Sequence, residues 1–161
     1  MRIYVASSWR NDYQPKVVSM LRAIGQEVYD FRNPQKDGGG GFQWKQVEKP
    51  GYPWEEWTTY EYLQALRHPI AIAGFQSDMD AMEWADAFIL VTPHSPNSSG
   101  RSSHLEFGWA VGKGKRTCIF IPERIEPDLM YKMADQIADS AALMLEWVKE
   151  TDAELKRGDV Q

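Results

Sequence analysis

Apolar residues fall along this chain in two rhythms. Short, largely apolar runs occupy residues 2–6, 27–31, 87–92 and 116–121. Runs of that length, rich in β-branched and aromatic side chains, predict buried strands. Elsewhere the spacing is helical. Val17, Val18, Leu21 and Ile24 share one face and Gly25 stops the pattern, which predicts a helix over residues 13–24 with Pro15 tolerated in its first turn. Thr58 or Thr59 opens a further predicted helix that runs to residue 67. Another is expected over residues 77–84, with Asp78 and Asp80 at its start, where the positive end of the helix dipole favours acids. Leu143, Leu145, Trp147 and Val148 mark a last helix over residues 140–155. Residues 128–135 are ambiguous: a helical turn is expected first, then a short edge strand near 131–134.

Strands alternating with helices predict an α/β domain with a doubly wound parallel sheet, since each strand–helix–strand unit crosses over right-handed. The expected form is flavodoxin-like, strand order 2-1-3-4-5, with helices on both faces. One domain spanning residues 1–161 is expected, interrupted at about 32–57. That interruption holds four consecutive glycines, 38–41, then Pro50, Gly51 and Pro53, interleaved with Phe42, Trp44, Tyr52, Trp54 and Trp57. The glycine run lacks the lysine and hydroxyl residue of a phosphate loop, so a hinge is the expectation. The aromatic residues argue against plain disorder. They could form a base-stacking lid, a subunit interface or a local core.

Composition narrows the partners. The formal charge of −5 over 161 residues disfavours a nucleic acid polymer, whose binders carry a basic stripe. A small anion stays open, because one arginine and a helix N-terminus suffice to hold it. No apolar span approaches membrane length, so no membrane partner is expected. The chain opens directly into a strand without a signal-like segment, which makes the cytoplasm the expected location. The one cysteine, Cys118, lies inside an apolar run and reads as an inert core residue. No Cys/His cluster has zinc spacing, and neither a metal nor a cofactor is expected.

The most informative stretch is residues 100–115. Pro93, Pro96 and Gly100 break the chain after the third strand; Ser102 and Ser103 are good N-caps and Gly114 suits the far end of a helix. Gly108 and Gly112 lie inside it, each costing about 1 kcal/mol against alanine, so close packing or a ligand is expected to need their small size. Glu106 falls near the C-terminal edge of the preceding strand, where open parallel sheets bind ligands. It also completes a Ser103-x-x-Glu106 capping box, and both readings stand. The same edge would gather Tyr4, Ser7, Ser8 and Arg10 from the first turn, Asp78 and Asp80, and Ser102, Ser103 and His104. Asp78 reads equally as a first-turn acid, Arg10 as a solvated charge and Tyr4 as a strand residue. Two separated carboxylates suit glycosidic chemistry, one as nucleophile or base and the other as acid, about an oxocarbenium-like sugar.

Three blocks carry a resemblance. Residues 3–9, Ile-Tyr-Val-Ala-Ser-Ser-Trp, residues 77–86, Ser-Asp-Met-Asp-Ala-Met-Glu-Trp-Ala-Asp, and residues 103–115, Ser-His-Leu-Glu-Phe-Gly-Trp-Ala-Val-Gly-Lys-Gly-Lys, resemble those of the nucleoside 2-deoxyribosyltransferase superfamily. That superfamily includes 2′-deoxynucleoside 5′-monophosphate N-glycosidases. The resemblance implies Glu106 as nucleophile, Asp78 as the acid that handles the base's proton, and Tyr4 as the residue orienting the nucleophile. It implies a nucleoside or nucleotide as the small-molecule partner, no cofactor, and a homo-oligomer. Transferases of the family often carry an aspartate six residues before the nucleophile; here that position is Gly100. Ser8 and Arg10 resemble the first phosphate-binding turn of the monophosphate glycosidases, with Ser7, Gly100, Ser102, Ser103 and His104 completing the expected substrate contacts. A non-catalytic nucleotide-binding or sensor domain on the same fold is the alternative.

Overall fold

A computed structural model of the chain describes residues 1–34, 40–92 and 100–158. Gly38 and Gly39 of the expected hinge, the chain breaks at Pro93 and Pro96, and the last three residues of the polar tail lie outside them. The chain divides into two compact units, one formed by residues 1–30 and 84–161 and the other by residues 31–83.

The first unit holds a five-stranded sheet, all parallel, in the order β2-β1-β3-β4-β5. The strands are β1 (Arg2–Ala6), β2 (Glu27–Tyr29), β3 (Ala87–Val91), β4 (Arg116–Phe120) and β5 (Gln136–Ala138). This is the expected flavodoxin-like order. The edge strand β5 comes a few residues after the 131–134 stretch expected for it, because a 3₁₀ turn, Leu129–Met133, occupies that stretch. Helices α1 (Gln14–Ala23) and α5 (Ala141–Gly158) share one core with the odd-numbered residues of β1 and β3, among them Ile3, Val5, Ile89 and Val91. Cys118 belongs to that core, and burial pushes its thiol up to about 12, as suits an inert residue. Helix α4 (Arg101–Gly112) packs on β1, β3 and β4. Tyr4 and Phe88 are buried from the other row of strand positions, and Trp109 of α4 reaches the Phe88 ring. The sheet is therefore covered on both faces, as a parallel sheet requires.

At the N-terminal edge of the sheet, Arg2 pairs with Asp86 through its guanidinium and backbone N–H. That hydrogen bonding holds the Asp86 carboxyl below the usual carboxylate range. The α-amino group of Met1 and Lys156 both bind Asp152 at 2.8 Å, closing β1 onto α5.

The second unit contains 3₁₀ turns at Trp44–Gln46 and Trp54–Glu56, helix α2 (Thr59–Ala65), and most of α3 (Pro69–Trp84). Thr58 caps α2 in a complete capping box with Glu61, as the hydroxyl-rich start predicts. Trp44 is the centre of a small aromatic cluster, 5.0 Å from the Phe42 ring, 5.6 Å from Tyr62 and 6.0 Å from Trp57, all edge-on. Trp54 stays outside it and exposed. Gly74 of α3 leaves room for Phe42: a Cβ there would sit 2.6 Å from the Phe42 Cβ.

Candidate functional site at the C-terminal edge of the sheet

Strand order reverses between β1 and β3, and the crevice above such a point is where open α/β sheets bind ligands. Asn11 builds its floor. Fully buried, it donates from Nδ2 to the Ser7 hydroxyl at 2.9 Å, to the Val91 carbonyl at 3.1 Å and to the Thr92 carbonyl at 2.8 Å. Its Oδ1 accepts the Tyr13 N–H at 2.9 Å, which starts α1. Ser7 donates in turn to the Val91 carbonyl at 3.0 Å. Ser7 and Asn11 thus stitch the turn after β1 to the end of β3. Asn11 was not among the expected site residues. Its signal is an Asx turn: an asparagine two residues before the N-cap Tyr13 competes well for the local N–H.

Tyr4 is 1% exposed and its ring lies between two others, Tyr29 of β2 at 5.2 Å and Phe88 of β3 at 5.0 Å, both nearly parallel to it. All three stand in one register row of the sheet. Tyr4 is therefore both a packed strand residue and a ring held in a fixed orientation beneath α4.

Helix α4 begins earlier than its serines suggest. Gly100 is the N-cap, no side chain among the described residues caps the helix, and Ser103 is already its third residue. The Ser103 hydroxyl donates backward to the Gly100 carbonyl at 2.5 Å. The expected capping box is therefore not formed, and Glu106 lies one turn further in. Ser103, Phe107 and Ala110 are the buried face of α4; Glu106, half-buried, flanks it. Ser102 is exposed. At the far end Gly114, at φ +68°, closes a Schellman motif in which Lys115 N–H reaches the Ala110 carbonyl and Gly114 N–H that of Val111, each at 3.0 Å. Gly108 and Gly112 do not serve close packing within the described residues: a Cβ at either would meet nothing within 4 Å.

Gly100 is crowded. A Cβ there would stand 2.4 Å from the Ser103 hydroxyl oxygen and 3.0 Å from the backbone nitrogen of Ser8. The turn after β1 and the N-terminus of α4 thus meet through a residue that has no side chain. Arg10 is exposed, its N–H on the Ser8 hydroxyl at 3.2 Å. His104 commits both ring nitrogens within the protein, Nδ1 to the Gly100 carbonyl and Nε2 to the Tyr131 hydroxyl, each at 3.0 Å.

Asp78 belongs to the second unit. It is not in a first turn: α3 starts at Pro69, nine residues before it. His68 Nδ1 accepts the Ile70 N–H at 3.2 Å, and proline takes the first helical position. The N-cap reading of Asp78 therefore falls. It is half-buried in the helix interior, one turn after Gly74 and one before Met82, while Asp80 is exposed and accepts from Gln76 at 2.7 Å. Among the described residues, no group of three or more His, Cys, Asp or Glu side chains could hold a metal ion, and no helix is long and apolar enough to cross a membrane.

No protein-family model matches the chain, and no curated protein matches its sequence. Solved structures do match. The 2-deoxyribosyltransferase of Bacillus psychrosaccharolyticus aligns over 87% of each chain at 21% identity, with a TM-score of 0.52. The chain has the fold of a 2-deoxyribosyltransferase. The CMP N-glycosidase BcmB of Clostridium botulinum aligns over 92% of this chain and 99% of its own at 16% identity, with a TM-score of 0.47.

Proposed function

We propose that this protein cleaves the N-glycosidic bond of a nucleoside 5′-monophosphate, with the free nucleoside as the weaker substrate. The observation that carries this reading is the contact at Gly100. A Cβ at Gly100 would stand 3.0 Å from the Ser8 nitrogen, so the glycine lets the turn after β1 lie against the N-terminus of α4, where backbone N–H groups and the helix dipole favour an anion. A carboxylate at position 100, in the place of the family's sugar-holding aspartate, has no room and would repel a phosphate. Arg10, exposed on the same turn, supplies the counter-charge.

Glu106 attacks the anomeric carbon as the bond to the base breaks, and the electron pair of that bond leaves with the base. Asp78 protonates the departing base, the role its block of the chain gives it by resemblance. Tyr4, clamped between two rings, orients the nucleophile. Water then opens the glycosyl ester, regenerating the Glu106 carboxylate; a second base in place of water would make the reaction a transfer. The capping box that would have tied Glu106 to the start of α4 is not formed, since Gly100 and not Ser103 is the N-cap. The active protein is proposed to be a homo-oligomer of the cytoplasm.

The test is incubation with a panel of nucleosides and their 5′-monophosphates, with free base followed by chromatography. Release of base from a monophosphate is the expected result. A ligand-induced rise in melting temperature without turnover would instead establish a nucleotide sensor on the same fold.

A further inference from the structure

Gly100 presents one carbonyl to three donors: the Ser103 hydroxyl at 2.5 Å, the His104 N–H at 3.2 Å and the His104 ring Nδ1 at 3.0 Å. The first two are local to the helix. The third depends on a residue far along the chain. A carbonyl oxygen only accepts, so Nδ1 carries the imidazole hydrogen, and in the neutral ring Nε2 must accept. Its partner is the hydroxyl of Tyr131 at 3.0 Å, with the two rings 5.9 Å apart and inclined by 22°. Tyr131 belongs to the 3₁₀ turn Leu129–Met133, in the crossover from β4 to β5. It is half-buried, and burial, helped by Asp128, pushes its hydroxyl above the usual tyrosine value, so it stays a donor at neutral pH. The chain of contacts runs from Tyr131 to His104 to the Gly100 peptide, whose other side abuts Ser8.

We infer that His104 and Tyr131 are positioning residues for the ligand site: Tyr131 fixes the tautomer of His104, and His104 fixes the Gly100 peptide that aligns the first turn of α4 with Ser8. This rests on the proposed role of that turn in holding the substrate's phosphate. Neither side chain touches substrate. The pair acts by keeping the N–H donors of the turn where they converge, and its loss shows as weaker ground-state binding rather than slower chemistry, since Glu106 is a turn further along.

Two measurements test it. The first is the tautomer of His104, read from its ring ¹⁵N shifts by NMR at pH 8. The expected state is Nδ1–H with Nε2 bare, shifting toward a tautomer mixture in Tyr131→Phe. A wild type with Nε2–H, or a tautomer unchanged in Tyr131→Phe, overturns the inference. The second compares binding. His104→Asn places an amide N–H near the position of Nδ1 and keeps the donor to Gly100; His104→Leu removes it. With unaltered circular dichroism in both, His104→Leu should raise KM, or Kd, for the 5′-monophosphate about tenfold with kcat changed less than about threefold, and His104→Asn should recover most of the loss. Equal values for Leu and wild type, or no recovery by Asn, overturn it. A wild type that neither cleaves nor binds any monophosphate ends the proposed function but leaves the NMR result to decide the pairing.

Discussion

Ser103 is the third residue of α4 and not its N-cap, and its hydroxyl donates back to the carbonyl of Gly100, 2.5 Å away. Glu106 is thereby relieved of the reciprocal half of a capping box. Glu106→Gln should abolish turnover while the protein stays folded, because the amide keeps the shape and loses the nucleophile. Glu106→Ala should lack the 0.5–2 kcal/mol penalty of about one lost cap. Chromatography of free base and thermal denaturation check the two halves, and undiminished activity in the glutamine variant would sink the assignment.

Gly100→Ala forces a methyl against Ser103 Oγ at 2.4 Å and Ser8 N at 3.0 Å. Overpacking of this kind costs about 1–3 kcal/mol. The φ of −71° is ordinary, so the cost is steric and not conformational. Adding Ser103→Ala removes the closer clash and should restore part of the stability, but not monophosphate affinity, since the Ser8 contact remains obstructed. Denaturant melts and calorimetric titration of single and double variants separate the two effects.

Arg10→Ala should narrow the preference for a 5′-monophosphate over its nucleoside by about tenfold, the scale of one charge-assisted hydrogen bond. Nucleoside affinity should hardly change. Identical affinities for both ligands in the wild type would remove the phosphate from the proposal and leave the nucleoside.

Gly108→Ala and Gly112→Ala meet open space. Each should stabilise the monomer by about 0.5–1 kcal/mol through helix propensity. Urea melts over a range of protein concentrations are the check. A concentration-dependent loss in place of a gain would show that a second subunit lies against this exposed face.

Asp152 is held at about 2, first by Lys156 and then by the Met1 amino group. A carboxyl depressed on folding contributes stability that is complete above its unfolded value near 4 and is lost as pH falls toward about 2. The wild type should therefore lose stability between about pH 4 and 2 more steeply than Asp152→Asn, measured by thermal melts across that range.

Much of the sheet was legible because buried parallel strands read as apolar runs, and β1, β3 and β4 stand where those runs are. The start of α3 was not. Its first half, from Pro69 to Gln76, carries no charge and therefore no polar face, and Gly74 looks like a breaker until Phe42 is seen to fill the space beside it. The His68-Pro69 pair was the available signal. The cap of α4 misled for a different reason: serine is as able to donate to a carbonyl as to accept from an N–H, and sequence does not say which. Asn11 and Tyr131 act through partners 80 and 27 residues away, which no local pattern encodes.

The pairing of β1 with β3 also governs how this chain must assemble. Residues 2–6 lie beside residues 87–91, with the whole of the second unit threaded between them in sequence. On the ribosome, β1 can find only β2, a three-residue partner, until most of the chain has emerged. The stretch between can meanwhile gather its own aromatic cluster around Trp44. Refolding should accordingly show an early phase in tryptophan fluorescence from that cluster and a slower one when β3 closes the sheet, because non-local parallel pairing bears the entropy of a long loop before any contact offsets it.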